Sequence, residues 1–140
     1  MDAKFKNKIV SALRRLSRQW PPASEAKKLR KVGPATFECE LCKAYAYEGS
    51  KSLTQLQKTP EFIPIFNKCI SKGIEFKLSK TAIDHKLPVV PVTGFKGGWN
   101  WHEFVTNLYC DRSNYQILCK ECHTKKSSYE RKLRSASKVK

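Results

Sequence analysis

A chain of 140 residues is long enough for one modest hydrophobic core and too short for two. Its 28 Lys and Arg against 12 Asp and Glu leave a formal charge of +16, which points to a polyanionic partner and away from an acidic one. No apolar run approaches the ~20 residues that cross a bilayer, and the basic N-terminus lacks the apolar stretch of a signal peptide, so an intracellular protein with reduced thiols is expected.

The charge is unevenly placed. Residues 1–35 carry ten basic and two acidic side chains, residues 124–140 seven and one, and the stretch between them only eleven and nine. Two basic arms therefore flank a near-neutral body, an arrangement suited to phosphates, with membrane binding the weaker reading.

In chain order, Phe5, Ile9, Leu13, Leu16 and Trp20 recur at helical spacing and predict an amphipathic helix over 3–20, stopped by Pro21-Pro22. The stripe is expected to pack on the body, leaving a basic flank that includes Arg14, Arg15 and Arg18 to meet phosphate. A short basic helix over about 23–31 follows, and Gly33-Pro34 ends this arm. Residues 36–42 read as a strand entering a cysteine knuckle. Residues 50–72 hold two weak helical patterns, the second starting at Thr59-Pro60-Glu61 and stopping at Gly73. Residues 74–78 and 80–84 read as strand with a break, and 86–100, rich in Pro and Gly, as loop. Trp101 to Leu108 reads as a short helix, 113–119 as strand or knuckle, and 122–134 as a last helix running into a disordered basic tail.

Cys39-x-x-Cys42 and Cys119-x-x-Cys122 are two knuckles, each able to offer two thiolates to one tetrahedral zinc. Such an ion joins chain-distant ends, which is useful where the core is marginal. Cys69 and Cys110 have no partner at ligand spacing and read as buried apolar residues. Cys119-Lys120-Glu121-Cys122-His123 also matches a c-type haem attachment, but that reading leaves Cys39 and Cys42 unexplained.

With four sulfurs on zinc, His123 is left over, and on a helix it points about 100° away from Cys122. Asp84-His85, an oxygen ligand beside an imidazole, is its natural counterpart. Neighbours on a strand face opposite ways, so both serve one site only if the strand ends there, before Lys86-Leu87-Pro88.

Taken together, Cys39-x-x-Cys42, Ile83-Asp84-His85-x-x-Pro88 and Asn114 through Cys119-x-x-Cys122-His123-x-x-Lys126 closely resemble the zinc-stapled HNH (His-Me finger, ββα-metal) endonucleases, many of them phage-encoded. The resemblance covers about residues 36–127, and Gly98 to Phe104 is similar to a short helix that the phage proteins carry. It implies an α+β fold: a small ββα-metal finger, an antiparallel hairpin plus a helix, stapled by a four-cysteine zinc, with an N-terminal helical arm. The domain plan it implies is a basic helical arm at 1–35, the nuclease domain at 36–127 with an insertion around 44–74, and a basic tail at 128–140. It further implies that His85 is the general base, that Asp84 and His123 hold one divalent cation (Mg²⁺ or Mn²⁺, with Ni²⁺ or Zn²⁺ admissible), and that Asn114 braces the loop aiming His85. The implied reaction is hydrolysis of duplex DNA to 5′-phosphate ends, by nicking or double-strand cutting, in the cytoplasm of a host cell if phage-encoded. Monomer and dimer both stay open. The rival reading is a non-catalytic zinc-finger DNA-binding or regulatory module, with a structural subunit docking through its N-terminal helix as a second. Lys125 and Lys126 either touch phosphate or suit a solvated helix. His102 reads as a surface or structural residue, and Trp99 and Trp101 as packing residues rather than base-stacking ones.

Overall fold

The computed structural model describes residues 1–138 and is mixed α+β. The Asp2 carboxylate accepts the Lys4 and Phe5 amides and starts α1 (Ala3–Ser17). The helix ends three residues before the position expected. Pro21-Pro22 do not stop it but open α2 (Pro21–Leu29), because a proline in the first turn forfeits an amide that has no helical partner anyway. The packed face of α1 is also rotated from the expected stripe. Val10 and Leu13 meet the body, Lys6 lies over the Trp99 ring at 3.8 Å, and Phe5 and Leu16 stay exposed.

Strands β1 (Lys31–Gly33), β2 (Thr36–Glu38), β3 (Tyr45–Tyr47) and β4 (Phe76–Leu78) form one sheet in the order β1-β2-β3-β4. The first two pairings are antiparallel and β3–β4 is parallel. A parallel pair needs a long crossover, which α3 (Leu53–Gln57) and α4 (Ile63–Lys72) supply. Residues 44–74, read as an insertion, thus contribute an interior strand. Ser52 and Gln55 cap α3 reciprocally. Gly73 ends α4 at φ +65°, a left-handed turn that a Cβ would penalise. Tyr45, Tyr47, Leu56, Phe62, Ile65 and Cys69 bury the helices against this sheet.

The break expected between 78 and 80 sends the chain into a different sheet. β5 (Thr81–His85) pairs antiparallel with β6 (Tyr115–Cys119), with Asp84 opposite Gln116 and His85 opposite Tyr115. Between them run the loop and α5 (Trp101–Leu108), whose bounds match expectation and whose Phe104 and Leu108 pack with Val89 and Phe95. α6 (Lys120–Lys138) follows β6 directly and packs on β5 and β6. It continues past the expected end at 134, so residues 135–138 are helix rather than disordered tail; 139–140 lie outside the described residues. No described helix is long and apolar enough to cross a membrane.

Candidate metal centres

The first knuckle is made by backbone. The Cys39 amide donates to the Ala44 carbonyl and the Lys43 amide to the Cys39 carbonyl, both at 2.9 Å, with Lys43 held at φ +64°. Glu40 keys the knuckle to β6: its amide donates to the Ile117 carbonyl, and its carboxylate accepts the Ile117 amide at 2.6 Å. Arg30 closes on the same carboxylate at 2.8 Å. The second knuckle comes from the junction of β6 with α6.

These elements bring the sulfurs of Cys39, Cys42, Cys119 and Cys122 within 4.8 Å of one another. A tetrahedral ion with zinc–sulfur bonds of ~2.3 Å demands sulfur separations of about 3.8 Å, and Cys42 Sγ and Cys119 Sγ are 3.8 Å apart. The four cysteines can therefore hold a structural metal such as zinc. Burial pushes the Cys39 thiol up, but backbone amides of Cys119, Cys42 and Leu41 outweigh it and hold it down at about 7. Burial pushes Cys122 up to about 12. Lys77, with Nζ 3.6 Å from Cys119 Sγ, brings positive charge to a site where four thiolates exceed the charge of one divalent ion. Cys69 is buried and Cys110 half-buried, both away from this cluster.

On the same knuckle, His123 turns from the sulfurs towards β5. Its Nε2 lies 3.8 Å from Asp84 Oδ1. The other Asp84 oxygen, Oδ2, accepts from Gln116 at 3.1 Å and pairs with Lys126 Nζ at 2.7 Å. Lys126, for which the sequence left open a phosphate contact or a solvated helix position, is instead committed inward: it also binds Glu130 and the His85 carbonyl. Burial lowers its pKa, but Asp84 and Glu130 reverse that and raise it, so the ammonium stays charged.

β5 ends at His85. The ring's Nε2 lies 3.0 Å from the Leu108 carbonyl, at the C-terminus of α5. A carbonyl only accepts, so Nε2 carries a proton there, and in the neutral ring the lone pair lies on Nδ1. Tyr115 O–H donates to the same carbonyl at 3.0 Å, and its ring lies 4.9 Å from the imidazole. Nothing in the sequence marked Leu108 or Tyr115, because a backbone acceptor has no motif.

Asn114 spans the mouth of the two strands. Its Oδ1 accepts the Leu87 amide at 3.2 Å and its backbone carbonyl accepts the Lys86 amide at 2.7 Å. The loop after His85 is tied at two points. Asp84 and His85 then border one cleft of about 120 Å³, with Arg14, Lys126, Glu130 and Arg134 around it.

The remaining residues singled out above lie apart from this cleft. Arg15 and Arg18 are exposed on and after α1, and Lys125 is exposed and paired with Glu121 at 3.1 Å. His102 is exposed, while Trp99 and Trp101 pack around Phe104.

Fold and cysteine cluster define a small mixed α+β protein with a four-thiol site able to hold a metal. No family model matches the chain, and no curated protein or solved structure matches it either.

Proposed function

We propose that this chain is a metal-dependent HNH-type DNA endonuclease, in which β5, β6 and the start of α6 act as a ββα-metal finger stapled by zinc on the four cysteines. The observation that carries the reading is the meeting of Asp84 and His123 at 3.8 Å, from elements far apart in the chain, beside an imidazole whose tautomer is fixed. A carboxylate on the metal face and a basic nitrogen one residue along the same strand flank a single cleft, which suits in-line attack on a phosphodiester.

His85 Nδ1 takes the proton of the attacking water, and the Leu108 carbonyl stabilises the imidazolium that results. Asn114 holds the loop so that the ring keeps its aim. Lys126 and Gln116 fix Asp84 through one oxygen and leave the other facing His123. Asp84 and His123 would hold a divalent ion such as Mg²⁺ or Mn²⁺, which would supply positive charge against the developing negative charge on the phosphate and the leaving 3′ oxygen. Binding to the duplex draws on the two basic arms and weakens steeply with salt.

Lys126 also favours a second reading, a zinc-stapled DNA-binding module without catalysis, since its ammonium already neutralises Asp84. Plasmid nicking separates the two. On the nuclease reading, wild type relaxes supercoiled plasmid with Mg²⁺ or Mn²⁺ and Asp84→Asn does not. Duplex binding with no nicking under any divalent ion would establish the silent module.

A further inference from the structure

Two guanidinium groups, one from each basic arm, converge on the cleft that holds Asp84 and His85. Arg14 lies on α1 next to Leu13, which packs into the Phe104 cluster, and its guanidinium stands 5.7 Å from the Phe104 ring centroid. Arg134 lies near the far end of α6, where Nη1 donates to the Pro91 carbonyl at 3.0 Å and Nη2 to the Val90 carbonyl at 2.6 Å. The Arg134 guanidinium is thus held before any ligand arrives, while the Arg14 side chain is exposed and reaches the cleft across the Phe104 ring. A guanidinium has five N–H donors, and these two bonds leave three of Arg134's for something else.

The charges in the cleft do not balance. Asp84 and Glu130 are both engaged by Lys126, and among the described residues no carboxylate pairs with Arg14 or Arg134. Burial, and then the nearby charge of Arg134, both lower the pKa of Arg14. Two like charges held together without a counter-ion call for an anion between them, and planar forks match phosphate oxygens in a way that a lysine ammonium does not.

We infer that Arg14 and Arg134 form a clamp for a backbone phosphate of the DNA strand seated against Asp84 and His85. The inference rests on the nuclease reading and adds to it a substrate-positioning pair built jointly by the first and last helices. The N-terminal arm is then part of the cleft and not merely a tether to DNA.

The test uses the full chain, Arg14→Gln, Arg14→Lys and Arg134→Gln, with Lys72→Gln, an exposed charge at the end of α4 outside both basic arms, as the control. Binding to a short duplex is followed by anisotropy across a KCl series, without added divalent ion so that nothing is cut. Nicking of plasmid is timed separately with Mn²⁺. The clamp predicts that each Gln variant at 14 and 134 flattens the slope of log K against log[KCl] by about 0.9 and slows nicking by roughly 10²-fold through a misplaced phosphate. It predicts that Arg14→Lys keeps the slope but not the rate, and that Lys72→Gln nicks like wild type. Arg14→Lys, which retains charge and stem, carries the test if Arg134→Gln unfolds. Wild-type slope and wild-type rate in the variants at 14 and 134 would overturn the clamp while leaving the nuclease intact. A wild type that neither binds nor nicks DNA would instead remove the reading beneath it.

Discussion

Removing the metal from the four-cysteine site should cost this protein a large share of its stability. Cys42 and Cys119 are 77 residues apart, so the ion closes a loop spanning more than half the chain. The entropy of closing a loop of 77 residues comes to about 4.5 kcal/mol at 25 °C by the cross-link relation. Domains of this size hold only about 5–15 kcal/mol in total. Around the site, Cys39, Ala46, Leu118 and Cys119 are fully buried, so the same loss exposes the seam between the two sheets. At a few degrees per kcal/mol, the thermal midpoint should fall by roughly 15 °C. The assay is thermal unfolding followed by circular dichroism, on wild type as purified and after a strong chelator, with zinc content measured on both. Chelation of wild type is preferable to cysteine substitution, which would also disturb the packing around the buried Cys39 and Cys119. A chelated protein with an unchanged midpoint, or a stable protein that purifies without metal, would refute the reasoning.

Three further outcomes follow from single contacts. Asn114→Ala removes the acceptor for the exposed Leu87 amide, so unfolding by urea should show a loss of about 1 kcal/mol, while nicking slows roughly 10²-fold because the loop loses its aim. Glu48 accepts from the Thr81 amide and hydroxyl and pairs with Lys27 at 2.7 Å; burial pushes its pKa up, but these partners outweigh it and hold it below the ordinary value. Its contribution, about 1–2 kcal/mol, is complete above the unfolded value near 4.3 and is lost as pH falls through the lower folded value. The stability gap between wild type and Glu48→Gln should therefore be open at neutral pH and narrow progressively as pH falls below the unfolded value near 4.3. Lys43 sits exposed at φ +64° in the first knuckle, so Lys43→Gly should raise stability by about 0.5–1 kcal/mol in the same urea titration.

Much of the site was legible in the sequence because its parts are local. Cys-x-x-Cys fixes a knuckle whatever surrounds it, and a histidine following a knuckle on a helix must turn away from the sulfurs. The end of β5 at His85 could be anticipated from Pro88, and Gly73 marked the end of α4. The long-range parts were not legible. Nothing in Tyr45-Ala46-Tyr47 says that it pairs parallel with Phe76-Lys77-Leu78, since strand order depends on how the crossover helices pack. Pro21-Pro22 reads equally as a stop or a start, and the buried Ala23 and Ala26 against Tyr115 select the start. Arg134 escaped notice because helical periodicity fades in a run of Lys, Arg and Ser. The helix is extended there by carbonyls of the 86–100 loop that capture the guanidinium.

The central claim is that His85 is the base of a phosphodiester hydrolysis, and the rate of plasmid nicking by His85→Ala tests it most directly. A general base contributes about 10²–10⁴-fold, and the ring is half-buried at a strand end, so the variant should fold, bind duplex like wild type and nick slower by that factor. A His85→Ala protein that nicks at the wild-type rate in the same metal would contradict the account.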